Sequence, residues 1–194
     1  MSMFCFQCQE TFKNHGCTVR GVCGKTDDVA NLQDALIFAL KGMANYSSQL
    51  RKVKKVSSEI DGFLFKALFT TITNANFDAK DMVEDIKKAI EYRKSIKAEL
   101  EKEGVTLDPK FEGKPLTTWE FTTKEEAEML APKVGVLRTE NEDVRSLREI
   151  ILYGLKGISA YGFHAYNLGK ISEELYAFYE KALLATEDES LSGE

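Results

Sequence analysis

Four cysteines near the start of the chain have the type and spacing to do chemistry: Cys5, Cys8, Cys17 and Cys23. They follow the pattern C-x2-C-x8-C-x5-C, and the rest of the 194 residues contain no cysteine. Thiols so close together in sequence can serve one another or share one ligand. Thiolate sulfur is a soft donor that suits zinc or an iron-sulfur cluster. The spacing therefore predicts a single site within one loop.

Three kinds of site are compatible with four cysteines. Disulfides suit small secreted proteins that lack a core, whereas 43% of this chain is hydrophobic. Zinc ribbons usually show two C-x2-C pairs, and this chain has one. The pattern thus favours an iron-sulfur cluster, with zinc as the alternative. We do not expect His15 to be a ligand, because four cysteines are already present.

The segment around the cysteines is positively charged within an acidic chain. Residues 1–26 contain Lys13, Arg20 and Lys25 but only one acid, Glu10. A cluster bound by four thiolates is anionic, so these cations would stabilise it and raise its reduction potential. Three glycines beside the cysteines would let backbone N–H groups turn towards sulfur, namely Gly16, Gly21 and Gly24.

Composition argues against several classes of function. The net charge of −5 and the pI of about 5.3 do not suit a nucleic-acid-binding surface. The sequence shows neither an apolar run long enough to span a bilayer nor a signal peptide, so we expect no membrane partner and a cytoplasmic location. It also shows no catalytic nucleophile motif, phosphate loop or dinucleotide fingerprint. Chemistry beyond electron transfer is not expected.

Hydrophobic periodicity predicts an all-α fold, because apolar residues recur at spacings of three and four after the cysteine loop. Thr26, Asp27 and Asp28 mark the start of the first helix as N-cap and first-turn residues. Pro109, Gly113 and Pro115 mark a connecting loop around Trp119. The predicted helices span residues 28–50, 58–73, 78–103, 123–130, 142–168 and 172–186.

An internal repeat with an offset of 115 residues supports this organisation. It aligns Leu32–Tyr46 with Leu147–Tyr161 and Phe63–Leu68 with Phe178–Leu183, without a gap. A duplicated helical unit predicts two three-helix bundles packed together. The paired mid-helix glycines, Gly42 and Gly157, are expected where helices approach closely. The predicted divisions are a cysteine-rich loop, a first bundle, a connecting loop and a second helical bundle, at residues 1–27, 28–104, 105–122 and 123–194.

Several motifs resemble the hybrid-cluster, or prismane, proteins. They are Phe4-Cys5-Phe6-Gln7-Cys8-Gln9-Glu10-Thr11, Gly16-Cys17-Thr18-Val19, Cys23-Gly24-Lys25, Ala30-Asn31-Leu32-Gln33-Asp34, Thr73-Asn74-Ala75-Asn76-Phe77, Thr139 to Leu147 and Leu155-Lys156-Gly157. The resemblance implies an N-terminal domain of two three-helix bundles in which Cys5, Cys8, Cys17 and Cys23 hold a [4Fe-4S] cluster.

Members of that family are hydroxylamine reductases linked to protection against nitrosative stress. The resemblance places their reducing centre, a hybrid iron-sulfur-oxygen cluster, in two further domains that would follow Glu194. We therefore expect the chain to be a shortened form that relays electrons and has no reductase activity alone. An NADH-linked reductase or a ferredoxin is the expected donor. The alternative is a structural four-cysteine zinc or iron-sulfur site in a helical interaction domain.

Overall fold

Helices of very different length make up the computed structural model, which describes residues 1–73, 75–170 and 172–192. Five are long: α1 (Asp27–Leu50), α2 (Ser58–Thr70), α3 (Ala79–Lys102), α7 (Glu142–Asn167) and α8 (Glu173–Ala185). Three are short: α4 (Pro115–Thr118), α5 (Lys124–Glu128) and α6 (Ala131–Val134). Single 3-10 turns lie at Phe12–Asn14 and Val136–Arg138. The all-α prediction is confirmed.

The helix starts follow the capping residues in the sequence. The Asp78 side chain accepts hydrogen bonds from Lys80 and Asp81 at the start of α3, and Asn141 accepts one from Val144 at the start of α7. Thr26 is the N-cap of α1, as predicted, although its side chain accepts no capping hydrogen bond.

Two prolines explain where the observed helices depart from the predicted ones. The helix predicted over residues 123–130 is α5, and α6, which was not predicted, follows it as a separate short helix, because Pro132 lies in the first turn of α6 and cannot continue α5. Pro115 likewise starts α4 inside the predicted connecting loop. Asn74 of the Thr73–Phe77 motif lies outside the described residues, as do Ile171, Gly193 and Glu194.

The internal repeat is visible in the helix bounds. Helix α7 begins 115 residues after α1, and both ends of α8 lie 115 residues after those of α2. Helix α1 packs along α3, while α2 packs mainly against α7, and α8 contacts both α1 and α7. Helices of the two repeats are therefore interleaved, and the division at residues 28–104 and 123–194 stays a prediction. No helix in the described part of the chain is long and apolar enough to cross a membrane.

Glycines mark the close crossing of α2 and α7. A Cβ atom at Gly62 would lie 2.3 Å from the Tyr166 ring, and one at Gly162 would lie 2.9 Å from the Phe65 ring. In α1, a Cβ at Gly42 would lie 2.2 Å from the carbonyl oxygen of Leu116. The prediction of close approach is thus right for Gly42. It is wrong for Gly157, where an added Cβ would meet no atom within 4 Å.

The two equivalent long helices differ sharply in burial. Helix α1 is the centre of the core, with Leu32, Phe38 and Tyr46 at most 5% exposed. The repeat-related residues of α7 are largely exposed: Leu147 44%, Tyr153 58% and Tyr161 82%. The reason is that α3 and α4 cover this face of α1, and no described helix covers the same face of α7.

A charged cluster joins the ends of α1, α2 and α8. The Arg51 guanidinium donates hydrogen bonds to Asp61 and to both carboxylate oxygens of Glu180, the latter at 3.0 and 3.1 Å. It also pairs with the half-exposed Glu173 at 2.5 Å. Because Asp61 and Glu180 are almost fully buried, this arginine neutralises charge that would otherwise be unpaired.

Candidate metal centre

The cysteine loop folds back on itself and lies on the N-terminal part of α1. Backbone hydrogen bonds of 3.0 and 2.8 Å join Cys5 and Cys17 as an antiparallel bridge. Met3 is 3% exposed and packs with Cys17 and Ala30 of α1. The Asn31 side chain donates a hydrogen bond of 2.9 Å to the Ser2 carbonyl oxygen. The loop is therefore positioned by the first helix that follows it.

Tight turns present the remaining cysteines. Gly16 and Gly24 have φ values of 129° and 93°, which side chains disfavour and glycine allows. The Gly21 N–H donates to the Lys25 carbonyl oxygen at 2.8 Å, which closes the turn that carries Cys23. A Cβ at Gly21 would lie 3.0 Å from the Cys23 sulfur. The glycines allow these turns, but the N–H groups of Gly16, Gly21 and Gly24 donate to carbonyl oxygens and not to sulfur.

The four cysteines occupy different depths. Cys17 is buried, Cys5 and Cys8 are partly buried, Cys23 is exposed, and none of the four forms a disulfide. Within residues 1–73, 75–170 and 172–192, no three His, Cys, Asp or Glu side chains converge closely enough to hold one metal ion. A four-iron cluster would bind each sulfur to a different iron, so its ligands need not converge on one point. Their joint role as ligands stays a prediction.

The buried cysteine sits among groups that stabilise its thiolate. Burial raises the pKa of Cys17, but hydrogen bonds from the backbone of Phe12 and Val22 lower it, and the net pKa is below the usual value. The Thr11 hydroxyl at 3.8 Å and the positive charge of Lys25 act in the same direction. A thiolate is the form that binds metal.

The position of Lys25 indicates whether the loop could hold an anionic group. Its side chain is 1% exposed, and its Nζ lies 3.9 Å from the Cys5 sulfur and 2.7 Å from the Gln33 side-chain oxygen. No carboxylate of the described residues forms an ion pair with it. A buried cation is stable only when an anion is near. Four thiolate donors and this cation together fit an iron-sulfur cluster.

A second set of buried charges lies behind Cys5, and the sequence reasoning missed it. A small cavity of about 30 Å³ is lined by Cys5, Lys25, Asp34, Glu149 and Lys156, among others. Burial lowers the pKa of Lys156 to about 8, and burial raises the pKa of Asp34 to about 7. One feature of the sequence could have indicated these buried charges. Lys41 and Lys156 occupy equivalent positions of the repeat, each within an apolar helix. Both are buried.

Comparison with known proteins establishes the family. The model of the Prismane/CO dehydrogenase family matches residues 3–193. The chain belongs to this family. It is also similar to proteins named hydroxylamine reductase, such as one from Thermoanaerobacter pseudethanolicus, 50% identical over all 194 residues. Others come from Clostridium novyi, 53% identical over 186 residues or 96% of this chain, and Clostridium perfringens, 50% identical over 195 aligned positions.

The prismane relatives are much longer than this chain. It spans 35% of the length of the Thermoanaerobacter and C. perfringens proteins and 34% of the C. novyi protein. The family resemblance carried by the cysteine motifs is thus confirmed. The longer relatives are also consistent with further domains after the region matched here.

Proposed function

We propose that the chain is an electron-transfer domain in which Cys5, Cys8, Cys17 and Cys23 hold a [4Fe-4S] cluster. The observation that carries the proposal is the buried ammonium group of Lys25 beside the Cys5 sulfur. The side chain has a neutral amide as its oxygen partner, and the buried carboxyls of the same cavity, Asp34 and Glu149, have raised pKa values and form no ion pair with it within the described residues, so positive charge remains beside the cysteines. An anionic cluster would balance it.

The chain's own residues would hold and tune this group. When bound, such a cluster accepts and donates single electrons. Lys25 stabilises negative charge on the sulfur side that faces α1. The backbone groups of Phe12 and Val22 stabilise the Cys17 thiolate, and Met3 packs beside that cysteine and limits water.

We further propose that the chain works as part of a hydroxylamine reductase, the name that its relatives carry. In this role it relays electrons to a hybrid cluster held by additional domains, in the reducing environment of the cytoplasm. An NADH-linked reductase or a ferredoxin would supply the electrons. Since all four cysteines lie in the first 23 residues, the chain alone is expected not to reduce hydroxylamine.

The test is anaerobic purification followed by iron, sulfide and zinc analysis. We expect iron and sulfide in the proportions of a [4Fe-4S] cluster, and visible absorbance that bleaches with dithionite. Replacing any one of the four cysteines with serine should abolish or convert the cluster. His15→Gln is the matched control, because His15 lies between Cys8 and Cys17 and is expected to bind no metal.

Three results would contradict the proposal. A colourless protein that contains zinc without sulfide would favour the structural four-cysteine zinc site instead. A cluster that is present but silent in redox titration would assign the loop a structural role. Hydroxylamine turnover by the chain alone would contradict the relay role and indicate an enzyme in its own right.

A further inference from the structure

Exposed apolar side chains surround the cysteine loop. Phe12 is 54% exposed, Val19 72% and Val22 56%. Backbone groups of both Phe12 and Val22 lie against the Cys17 sulfur, so these two side chains flank the same buried cysteine. Cys23, the exposed cysteine, directly follows Val22. The outer side of the loop is therefore apolar at the place where a bound group would be closest to solvent.

Two unpaired cations border these apolar residues. Lys13 and Arg20 are both exposed, and neither forms an ion pair with any residue in the described part of the chain. The Lys13 ammonium lies 5.3 Å from the centre of the Phe12 ring. The whole chain carries a net charge of −5, yet the exposed side chains of residues 1–26 include two cations, Lys13 and Arg20, against one acid, Glu10. A positive region on an acidic protein attracts a partner of the opposite charge.

We propose that this docking surface, formed by Phe12, Lys13, Val19, Arg20, Val22 and Cys23, binds a small acidic protein that carries a one-electron redox group. The inference rests on the proposed function and names the partner of the same site. One electron leaves the partner's group, which is oxidised, and reduces the group held by the cysteines. No bond forms and no proton moves between the proteins. The apolar residues make the contact, and the cations orient it.

The surface suits a transient complex. Weak electron-transfer encounters bury less area than stable complexes, and charge attraction can raise their association rates by one to three orders of magnitude. Such attraction is screened by salt, because the Debye length falls from about 10 Å at 0.1 M to about 3 Å at 1 M. The proposal therefore predicts a strong salt dependence for reduction by an acidic donor.

The experiment measures how fast a reduced plant-type [2Fe-2S] ferredoxin, an acidic one-electron carrier, reduces the reconstituted 194-residue protein in a stopped-flow instrument. The variant Lys13→Glu/Arg20→Glu reverses both cations of the docking surface. The matched control, Lys52→Glu/Lys102→Glu, changes the total charge equally. Lys52 follows the end of α1 and Lys102 ends α3. The 24-residue α1, about 36 Å long, separates Lys52 from the loop.

At low ionic strength we expect the docking variant to be reduced at least tenfold more slowly than wild type, and the control within about twofold. High salt should remove most of the difference. Arg20→Gln should give a smaller change in the same direction. Dithionite needs no docking, so it should reduce all variants to the same extent, which checks that each still holds its group.

The docking surface would be wrong if ferredoxin reduced the docking variant and the control variant equally slowly. It would also be wrong if neither variant was reduced more slowly than wild type. If wild-type protein is reduced by dithionite but not by ferredoxin at any salt concentration, the electron-carrying role stands and the acidic partner is wrong. If dithionite reduces nothing, the proposed function itself fails. The two failures are therefore distinguishable.

Discussion

The ammonium group of Lys25 is withdrawn from water beside a sulfur atom, and burying a cation is costly unless negative charge lies nearby. In Lys25→Met the charge is lost while much of the side-chain volume is kept. We expect the reconstituted cluster to have a midpoint potential lower by roughly 60 mV or more, which for one electron is a tenfold shift in the equilibrium. A potentiometric titration followed by visible absorbance measures it.

Lys52→Met is the control for this prediction, because it removes an exposed lysine just beyond the far end of α1. Its potential should equal that of wild type within experimental error. An unchanged potential in Lys25→Met, with the cluster fully bound, would show that the buried lysine does not stabilise charge on the cysteine sulfurs.

Asp188 is a second residue whose charge state depends on the fold. The Lys110 ammonium donates a hydrogen bond to Asp188 and lowers the pKa of that carboxyl to about 2, with the Ser190 hydroxyl contributing. Since the folded pKa is below the unfolded value, the contribution to stability is present above about pH 4 and is lost as the pH falls towards 2. Because Lys110 is 40% exposed, Asp188→Asn should cost only about 1 kcal/mol or less.

Urea unfolding at neutral pH and near pH 2.5 checks this prediction, because the difference between wild type and Asp188→Asn should shrink at the lower pH. Glu189→Gln is the neighbouring control, since it removes an equal charge from an exposed side chain. A difference that is the same at both pH values would mean that the variant acts through packing or turn geometry, not through the ionised carboxylate.

Among the helices, α1 and α7 carry equivalent glycines in unequal surroundings. Gly42→Ala would place a Cβ atom 2.2 Å from the Leu116 carbonyl oxygen, which is backbone and cannot rotate away. We expect destabilisation by about 2 kcal/mol or more. Gly157→Ala meets no atom within 4 Å, so the higher helix propensity of alanine should stabilise the protein by about 0.5–1 kcal/mol. Urea unfolding of both variants measures the difference.

The structure requires that Gly42→Ala and Gly157→Ala change the free energy of unfolding in opposite directions. If both substitutions stabilise, α4 does not press against α1 as the structure shows. If both destabilise by similar amounts, Gly157 is as crowded as its repeat partner, and the open face of α7 is covered in solution.

At the scale of the whole molecule, the sequence reasoning succeeded where local rules decide the outcome. The start of α1 followed from Thr26, Asp27 and Asp28, and the 115-residue repeat predicted the correspondence of α7 and α8 with α1 and α2. The cysteine spacing predicted the candidate site, and the joint role of the four thiols as ligands stays a prediction. The short helices α4 and α6 were missed, because a proline that breaks the periodicity, such as Pro115 or Pro132, can also begin a helix.

The packing of one helix against another could not be predicted from the hydrophobic periodicity of the sequence. The packing of α2 against α7 joins residues about 100 positions apart, and the repeat gives no sign of which copy is buried. The same limit hid Gln33, Asp34 and Lys156 near the cysteine loop, since polar residues on an apolar helix gave no sign of facing Cys5. Only the three-dimensional arrangement brings them to one cavity.

The unequal burial of the two repeats can be tested by substituting equivalent residues of α1 and α7. Phe38 and Tyr153 occupy equivalent positions, but Phe38 is 5% exposed and packs edge-on against Trp119, whereas Tyr153 is 58% exposed. Phe38→Ala should therefore cost about 3–5 kcal/mol, and Tyr153→Ala should change stability by about 0.5 kcal/mol or less. Denaturant unfolding monitored by circular dichroism gives both values. If Tyr153→Ala lowered the free energy of unfolding by several kcal/mol, this face of α7 would have to be packed against another surface. A ring surrounded by water makes few contacts that the substitution could remove.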